Sequence, residues 1–365
     1  MKTVLVFFGG ESVEHDISII TGVMTLNSVD RTLYNAVPVY VSKCGEWFSG
    51  EALFDLDNYK NLNFNKLHKV CLLSGDNCLY KIKGKKLSKV TEVALAINCM
   101  HGERGEDGCL AGILNTCKIA FASPDMLPSS IAMDKVFTKV VAKALNISVL
   151  PSVTVKSEED VEKVLKTLKF PLLVKPNRLG SSIGVNKAEN EEDLIVAIKY
   201  ALRFGESVIV EPLLQDFIEI NCACYKKADD EIKVSECERP IGSEKVLSFD
   251  DKYRSGKRVF PADIDKKISE KIKKITKKIY LTLGFIGVIR VDYFVVKDRV
   301  YLNEINSVPG SLSYYLFVDT LKEFSTMISE LLITAEKEYI KKSTAIKTYS
   351  TGILSFSGGK SAKRL

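Results

Sequence analysis

Apolar and polar positions change period along the chain, and those changes mark its units. The run "TVLVFF" stops at Gly9 and Gly10, and an amphipathic stretch follows with Ile17, Ile20 and Met24 at helical spacing. Strand-like "AVPVYV" and "EVALAIN" come next. Strand, helix, strand in that order predicts a parallel sheet with crossover helices. Ligands of such sheets sit beyond the carboxyl ends of the strands, where "GGESVEH" and "MHGERGEDG" fall.

Near "SPDMLPSS" the pattern shifts. A helix is predicted through Met133 to Leu145, then a strand "SVTV", a helix "EEDVEKVLKTL", the segment "FPLLVKPNRLGSSIGV" and a helix to about Phe204. From "SVIVEPLL" onward come "FIEINCACY", "IKVSEC", a long Lys-rich helix and the closing strands "GVIRVDYFVV" and "RVYLNEI". These strands follow one another through short turns, so their sheet should be largely antiparallel. The expected units are 1–127, 128–209 and 210–342, with 343–365 a basic, poorly ordered tail.

Composition narrows the class. With 46% hydrophobic and 27% charged residues, the 365-residue chain reads as a soluble globular protein. No uncharged apolar run reaches the length of about 18 that a membrane span needs, and the first residues lack a small-residue cleavage site. A cytoplasmic protein is expected, and its nine scattered cysteines read as reduced, mostly buried thiols. The net charge of +6 comes largely from lysines in "DIDKKISEKIKKITKKIY" and "GGKSAKRL". The first reads as a solvated helix face, and no aromatic-basic platform for nucleic acid is visible.

The chemistry-bearing residues start from "RVYLNEINSVPGS". Glu304 and Asn306 share one face of a strand, as do Arg290 and Asp292 on the strand before it. A short turn at Lys297 and Asp298 would bring Asp292, Glu304 and Asn306 together. Two carboxylates and an amide oxygen are hard ligands suited to Mg²⁺, though a solvated hairpin face gives the same pattern. In "KPNRLGSSIG", Lys175 ends a strand and Gly180, Ser181, Ser182 and Gly184 form a loop whose backbone can approach an anion. Ordinary turns use the same residues, and the spacing is not that of a Walker phosphate loop. Lys135 and Lys139 of "AMDKVFTK" share a helical face and suit either a phosphate or solvent. Glu14, at the start of the helix after "GG", suits either the helix dipole or a ligand ammonium.

Taken in order, "GGESVEHDIS", "HGERGEDG", "AMDKVFTK", "VKPNRLGSSIGV", "DDKY", "RVDYF" and "LNEINSVPG" resemble the motifs of the D-alanine:D-alanine ligases of the ATP-grasp superfamily, over about residues 1–340. The resemblance implies an α/β three-domain ATP-grasp ligase. It would have an N-terminal parallel α/β domain completing the substrate site, a small central α+β domain and a C-terminal antiparallel-sheet α+β domain. The implied activity is ATP-dependent joining of two D-alanines through a D-alanyl phosphate, for peptidoglycan precursor synthesis. Two Mg²⁺ ions would assist, with Mn²⁺ able to substitute, and the assembly would be a homodimer.

By the same resemblance, Lys135, Lys175 and Ser182 would face the ATP phosphates, Glu211 and the backbone near Leu214 the adenine, and Glu219 the ribose. Asp292, Glu304 and Asn306 would hold the metals, and Arg290 with the Gly310 N–H the oxyanion. Glu14 would hold the first substrate's ammonium, linked through Ser181 to Tyr253, and His101 would lie near that substrate's carboxylate. A lid from about Arg239 to Phe260 would bring Lys252 to the γ-phosphate. Four departures stand out: Pro212 after Glu211, an extra residue before Glu219, a shortened lid, and Tyr315 where a serine commonly holds the second substrate's carboxylate. They leave room for another acceptor such as D-serine or D-lactate. A non-catalytic nucleotide-binding regulator would be expected to lose Arg290 or a metal ligand, and all are present.

Overall fold

The computed structural model describes residues 1–242 and 257–352. The N-terminal sheet has eight strands: β1 (Lys2–Gly9), β2 (Tyr34–Val41), β3 (Trp47–Ser49), β4 (His68–Leu73), β5 (Asp76–Lys83), β6 (Lys86–Glu92), β7 (Leu95–Asn98) and β8 (Ala120–Phe121). Strands β2, β1, β7 and β8 are parallel, as the pattern predicts. The sheet also has an antiparallel half, β3 to β6, which the strand and helix pattern did not reveal. Two-residue turns at Ser74–Gly75 and Gly84–Lys85 link β4, β5 and β6, and hairpins of that length can only pair antiparallel. Strand β6 is almost wholly exposed and polar, so it carries no core alternation to read.

Both faces of the parallel half are covered, which is why β1 is a continuous apolar run. Val4, Val6 and Phe8 pack with helix α1 (His15–Ser28), while Leu5 and Phe7 pack with α2 (Cys109–Thr116). A helix predicted through Met133 to Leu145 is instead two, α3 (Met126–Met133) and α4 (Lys135–Ala144). Between them Asp134 is extended, and its side chain accepts the N–H groups of Val136 and Phe137. An Asp that caps competes with one that continues a helix, and here capping wins.

The central unit is an antiparallel sheet in the order β11-β10-β12-β9, built from β9 (Val153–Val155), β10 (Leu172–Pro176), β11 (Asn186–Ala188) and β12 (Val208–Pro212). Helices α5 (Val161–Thr167) and α6 (Glu191–Ala201) cover one face. The last unit pairs β13 (Ile218–Lys226), β14 (Ile232–Val234), β17 (Val288–Val296) and β18 (Arg299–Asn306) in the antiparallel order β14-β13-β17-β18. A separate ribbon joins β15 (Arg239–Pro240) to β16 (Arg258–Val259). Helix α7 (Lys266–Leu283) buries Ile272 and Ile279 on the four-stranded sheet.

The chain then returns to its start. Helix α8 (Leu321–Ser343) opens on a reciprocal capping box between Thr320 and Glu323 and lays Phe324, Ile328 and Leu332 against the N-terminal core. That core also takes in Tyr225, Val308 and Leu312, so it ties the two ends of the chain together. All nine cysteines are free thiols, six of them buried. Among the described residues no helix is long and apolar enough to cross a membrane.

Phe324 is wholly buried at that junction. Phe324→Ala should lower unfolding stability by about 3–5 kcal/mol in a denaturant titration, from lost burial plus the cavity left behind. A loss under about 1 kcal/mol would mean that α8 is not integral to the N-terminal core.

Candidate active site

The central and C-terminal sheets face each other across a cleft. Lys175, at the end of β10, reaches across it: its ammonium donates to Glu211 at 2.7 Å and to Asn303 at 3.3 Å, and lies 5.5 Å from the centre of the Phe294 ring. Glu211 on β12 takes a second ammonium, that of Lys139, which also donates to the Leu150 carbonyl at 2.9 Å. Burial alone would raise the Glu211 carboxyl, but the two lysines overcome it and hold the group at about 2. Lys139 is therefore not solvated: it is bound to Glu211 and, unlike Lys175 and Lys135, does not line the cleft. Leu214, Glu219 and Ser182 line the same cleft, with Lys135 at its inner end.

The closing hairpin forms as the sequence suggested, with Asp292 paired opposite Glu304 and Arg290 opposite Asn306. One detail escapes simple alternation. Leu302 and Ile305 both enter the core, although three residues apart they should face opposite sides. A β-bulge absorbs Asn303 as the extra residue, so Leu302 turns inward while Asn303 and Glu304 both line the cleft.

Arg290 grips Asp292 through two bonds, Nε to Oδ1 at 2.7 Å and Nη2 to Oδ2 at 2.9 Å, and the Asn306 amide donates to Oδ2 at 3.0 Å. Glu304 lies 3.8 Å from the Lys135 ammonium. Among the described residues no cluster of three or more His, Cys, Asp or Glu could hold a metal ion. The candidate set is two carboxylates and an amide, an all-oxygen set that fits Mg²⁺ sharing its shell with phosphate and water.

Lys135 begins α4 and donates to the Leu179 carbonyl at 2.6 Å. The helix start is fastened to the loop after β10, because Asn177 accepts the Val136 N–H at 3.1 Å and Arg178 pairs with Asp134 at 2.9 Å. In that loop Ser181 and Ser182 both hold a left-handed backbone, at φ 54° and 59°. The turn aims the Ser181 hydroxyl at Glu14, to which it donates. Glu14 caps α1 by position, but its side chain makes no cap bond and crosses to this loop instead. Gly180 and Gly102 press close on its carboxylate: a Cβ at Gly180 would stand 3.0 Å from it, and one at Gly102 3.1 Å.

A second cavity of about 390 Å³, in the range of small-molecule sites, adjoins the cleft. It is lined by Glu14, His101, Glu219, Arg290, Asn306 and Gly310 among others. His101 is buried, with Nδ1 2.7 Å from the Val308 carbonyl and Nε2 2.9 Å from the Thr21 hydroxyl. Burial lowers it to about 4, so the ring is neutral: Nδ1–H donates to the carbonyl and Nε2 accepts from Thr21. Thr21 also accepts the Ser311 N–H at 3.0 Å. The imidazole thus holds the turn that carries Gly310, with both ring nitrogens engaged.

Glu106, not singled out in the sequence, fastens two loops by accepting the Gly102 N–H at 3.0 Å and the Val308 N–H at 2.9 Å. Burial, and then the charge of Glu14, push its carboxyl well up. Its motif was visible, but its role depends on a contact made about two hundred residues away. The expected lid residues Lys252 and Tyr253 lie outside the described residues; the strands flanking them, β15 and β16, pair with each other.

Two antiparallel sheets closing on a lysine-lined cleft, beside an α/β domain that completes a small polar cavity, make this an ATP-grasp fold. Models of the D-ala D-ala ligase N-terminus and C-terminus match residues 3–124 and 141–334. The chain belongs to the D-alanine–D-alanine ligase family. It is 36% identical to the D-alanine–D-alanine ligase of Thermosipho melanesiensis, covering 99% of this chain and all of that protein. The crystal structure of the Helicobacter pylori D-alanine–D-alanine ligase matches with a TM-score of 0.76 and 31% identity, over 92% of this chain and 98% of that one. The VanG D-Ala:D-Ser ligase of Enterococcus faecalis matches with a TM-score of 0.78 and 28% identity, over 93% and 99%.

Replacing Glu211 would leave two buried ammonium groups without their partner. Glu211→Gln should cost about 3–5 kcal/mol at neutral pH. Because the folded carboxyl sits at about 2, against 4.5 when unperturbed, its contribution is complete above 4.5 and fades as pH falls towards 2. The gap between wild type and variant should therefore narrow across that window in acid denaturation. A gap constant with pH would show that the ionised pair is not its source.

Proposed function

We propose that this chain joins two D-alanines into D-alanyl-D-alanine at the expense of ATP, in the cytoplasm, for peptidoglycan precursor synthesis. One observation supports the mechanism: the closing hairpin puts Glu304 in the cleft between the two antiparallel sheets and Arg290 with Asn306 in the adjoining cavity. The phosphate end of one ligand would then abut the carboxylate of the other, and positioning of that kind is most of what phosphoryl transfer requires.

In the first step a donor carboxylate oxygen attacks the γ-phosphorus and ADP departs with the electrons of the broken bond. The second amino acid, its ammonium having lost a proton to solvent, then attacks the acyl carbon with its amine; phosphate leaves with the electrons of the broken C–O bond, and the nitrogen sheds its extra proton to become the amide. Glu14, held by Ser181 and confined by Gly180 and Gly102, fixes the donor ammonium. Arg290 and the Gly310 N–H face the oxygen that becomes negative at the tetrahedral stage. His101, with both ring nitrogens engaged, positions that N–H. Lys135 and Lys175 meet the phosphates, Ser182 lies on the loop beside them, and Glu211, Leu214 and Glu219 take the nucleoside. Asp292, Glu304 and Asn306 are the residues that would hold the divalent ions, two Mg²⁺ replaceable by Mn²⁺, which neutralise phosphate charge when bound. A homodimer is the assembly expected with this reading.

The test is ATP-dependent phosphate release with Mg²⁺ and D-alanine, with D-serine, D-lactate and L-alanine in parallel and products identified by mass. D-Alanyl-D-alanine should form, and Glu304→Ala should lower kcat by about two orders of magnitude or more. Tight ATP binding without turnover on any D-substrate would overturn the assignment.

A further inference from the structure

The second cavity has an end that the donor site does not use. There Tyr315 follows the Gly310 turn, and its phenol lies against the Arg290 guanidinium. The guanidinium of Arg258, on β16, stacks over the same ring at 4.6 Å. Tyr315 therefore sits between two cations of the cavity lining, Arg290 at its phenol and Arg258 over its ring.

Arg258 is held there by charge. Its Nη1 donates to Glu238 at 3.2 Å, and Glu238, 5% exposed, receives the Asn221 amide on its other oxygen, also at 3.2 Å. This Glu238 contact is the only ion pair of Arg258 among the described residues, and a guanidinium has five N–H donors in a fixed plane. Three carboxylates, Glu14, Glu219 and Glu238, line the cavity beside Glu106, whose carboxyl is pushed up by burial, against three cations, Lys257, Arg258 and Arg290. An amino-acid acceptor brings one more carboxylate, which must be neutralised away from the reacting carbon. Arg290 is bound to Asp292 at that carbon. Arg258 is both oriented and cationic.

We infer that Arg258, stacked on Tyr315 and anchored by Glu238, binds the carboxylate of the second amino acid and positions it for attack. This rests on the ligase reading above. It assigns to a side chain from the β15–β16 ribbon the task that the sequence pattern left open when Tyr315 replaced a serine. The acceptor must then carry a free carboxylate, and the tyrosine ring limits how bulky its side chain can be.

The experiment separates donor from acceptor. Wild type, Arg258→Gln and Arg258→Lys are assayed for D-alanyl-D-alanine formation, to extract the two D-alanine KM values. They are also assayed with hydroxylamine, which attacks the acyl phosphate in the acceptor's place and yields D-alanine hydroxamate. Arg258→Gln should raise the acceptor KM about ten- to hundredfold, as expected for a lost charge-assisted contact, while the donor KM moves at most about threefold. Arg258→Lys should fall between the two. Hydroxamate formation by Arg258→Gln shows that the variant is folded and competent for the first step. Equal changes in both KM values, or none in the acceptor KM, would overturn the assignment to Arg258. Absence of both dipeptide and hydroxamate with wild type would instead remove the ligase reading, and this inference with it.

Discussion

Charge inside the cleft sets the terms for everything around it. Glu211 lies almost wholly out of solvent, where an isolated carboxylate would be prohibitively costly, and it stays ionised because Lys175 and Lys139 both reach it. The same rule extends along the site. Arg290 is held by Asp292, Lys135 stands near Glu304, and Glu14 takes the Ser181 hydroxyl. Each group suited to a phosphate, an ion or an ammonium already has a partner of its own site. Binding at such a centre exchanges partners instead of uncovering bare charge, and the groups are oriented before any ligand arrives.

Orientation of that quality needs a frame, and the frame comes from segments far apart in sequence. Helix α8 and Val308 share one core with β1 and α1, so the Gly310 turn is seated on the N-terminal domain as firmly as on its own sheet. Polar contacts repeat the fastening: Glu106 to Val308, His101 to the Val308 carbonyl, and Thr21 to Ser311. Three consecutive residues of this turn, Ser311 to Ser313, keep a left-handed backbone, which persists only when the surroundings over-determine it.

Much of this was legible in the sequence, for reasons that can be named. The hairpin could be read because alternation and a two-residue turn are local, and Asp292, Glu304 and Asn306 followed from them. What could not be read depends on tertiary partners. The Asn303 bulge looks like ordinary alternation until Leu302 and Ile305 are seen in one core. Lys139 looks like any helix-surface lysine, since its partner Glu211 lies on another element. The antiparallel half of the first sheet was hidden because its outer strands are polar and half-exposed, so hydrophobic pattern carries little about them. Asp134 reads as helical until its cap bonds are seen.

These constraints also decide where the family can vary. A change at Glu211, Glu304 or Arg290 strands a buried charge, and a change at Phe324 or Val308 opens the core on which the Gly310 turn rests. The rim of the second cavity is more lightly constrained, since its cation Arg258 answers to the single buried carboxylate of Glu238. Tyr315 and Arg258 both line this cavity, and Arg258 sits on the two-stranded β15–β16 ribbon, which a bridge between Glu238 and Asn221 ties to β13. Substitutions there can redraw that end of the second cavity while the cleft around Lys175 and the Glu14–Ser181 contact keep their geometry. The division is physical: interior charges must balance together, whereas a rim cation needs only one buried anchor, and Glu238 supplies it.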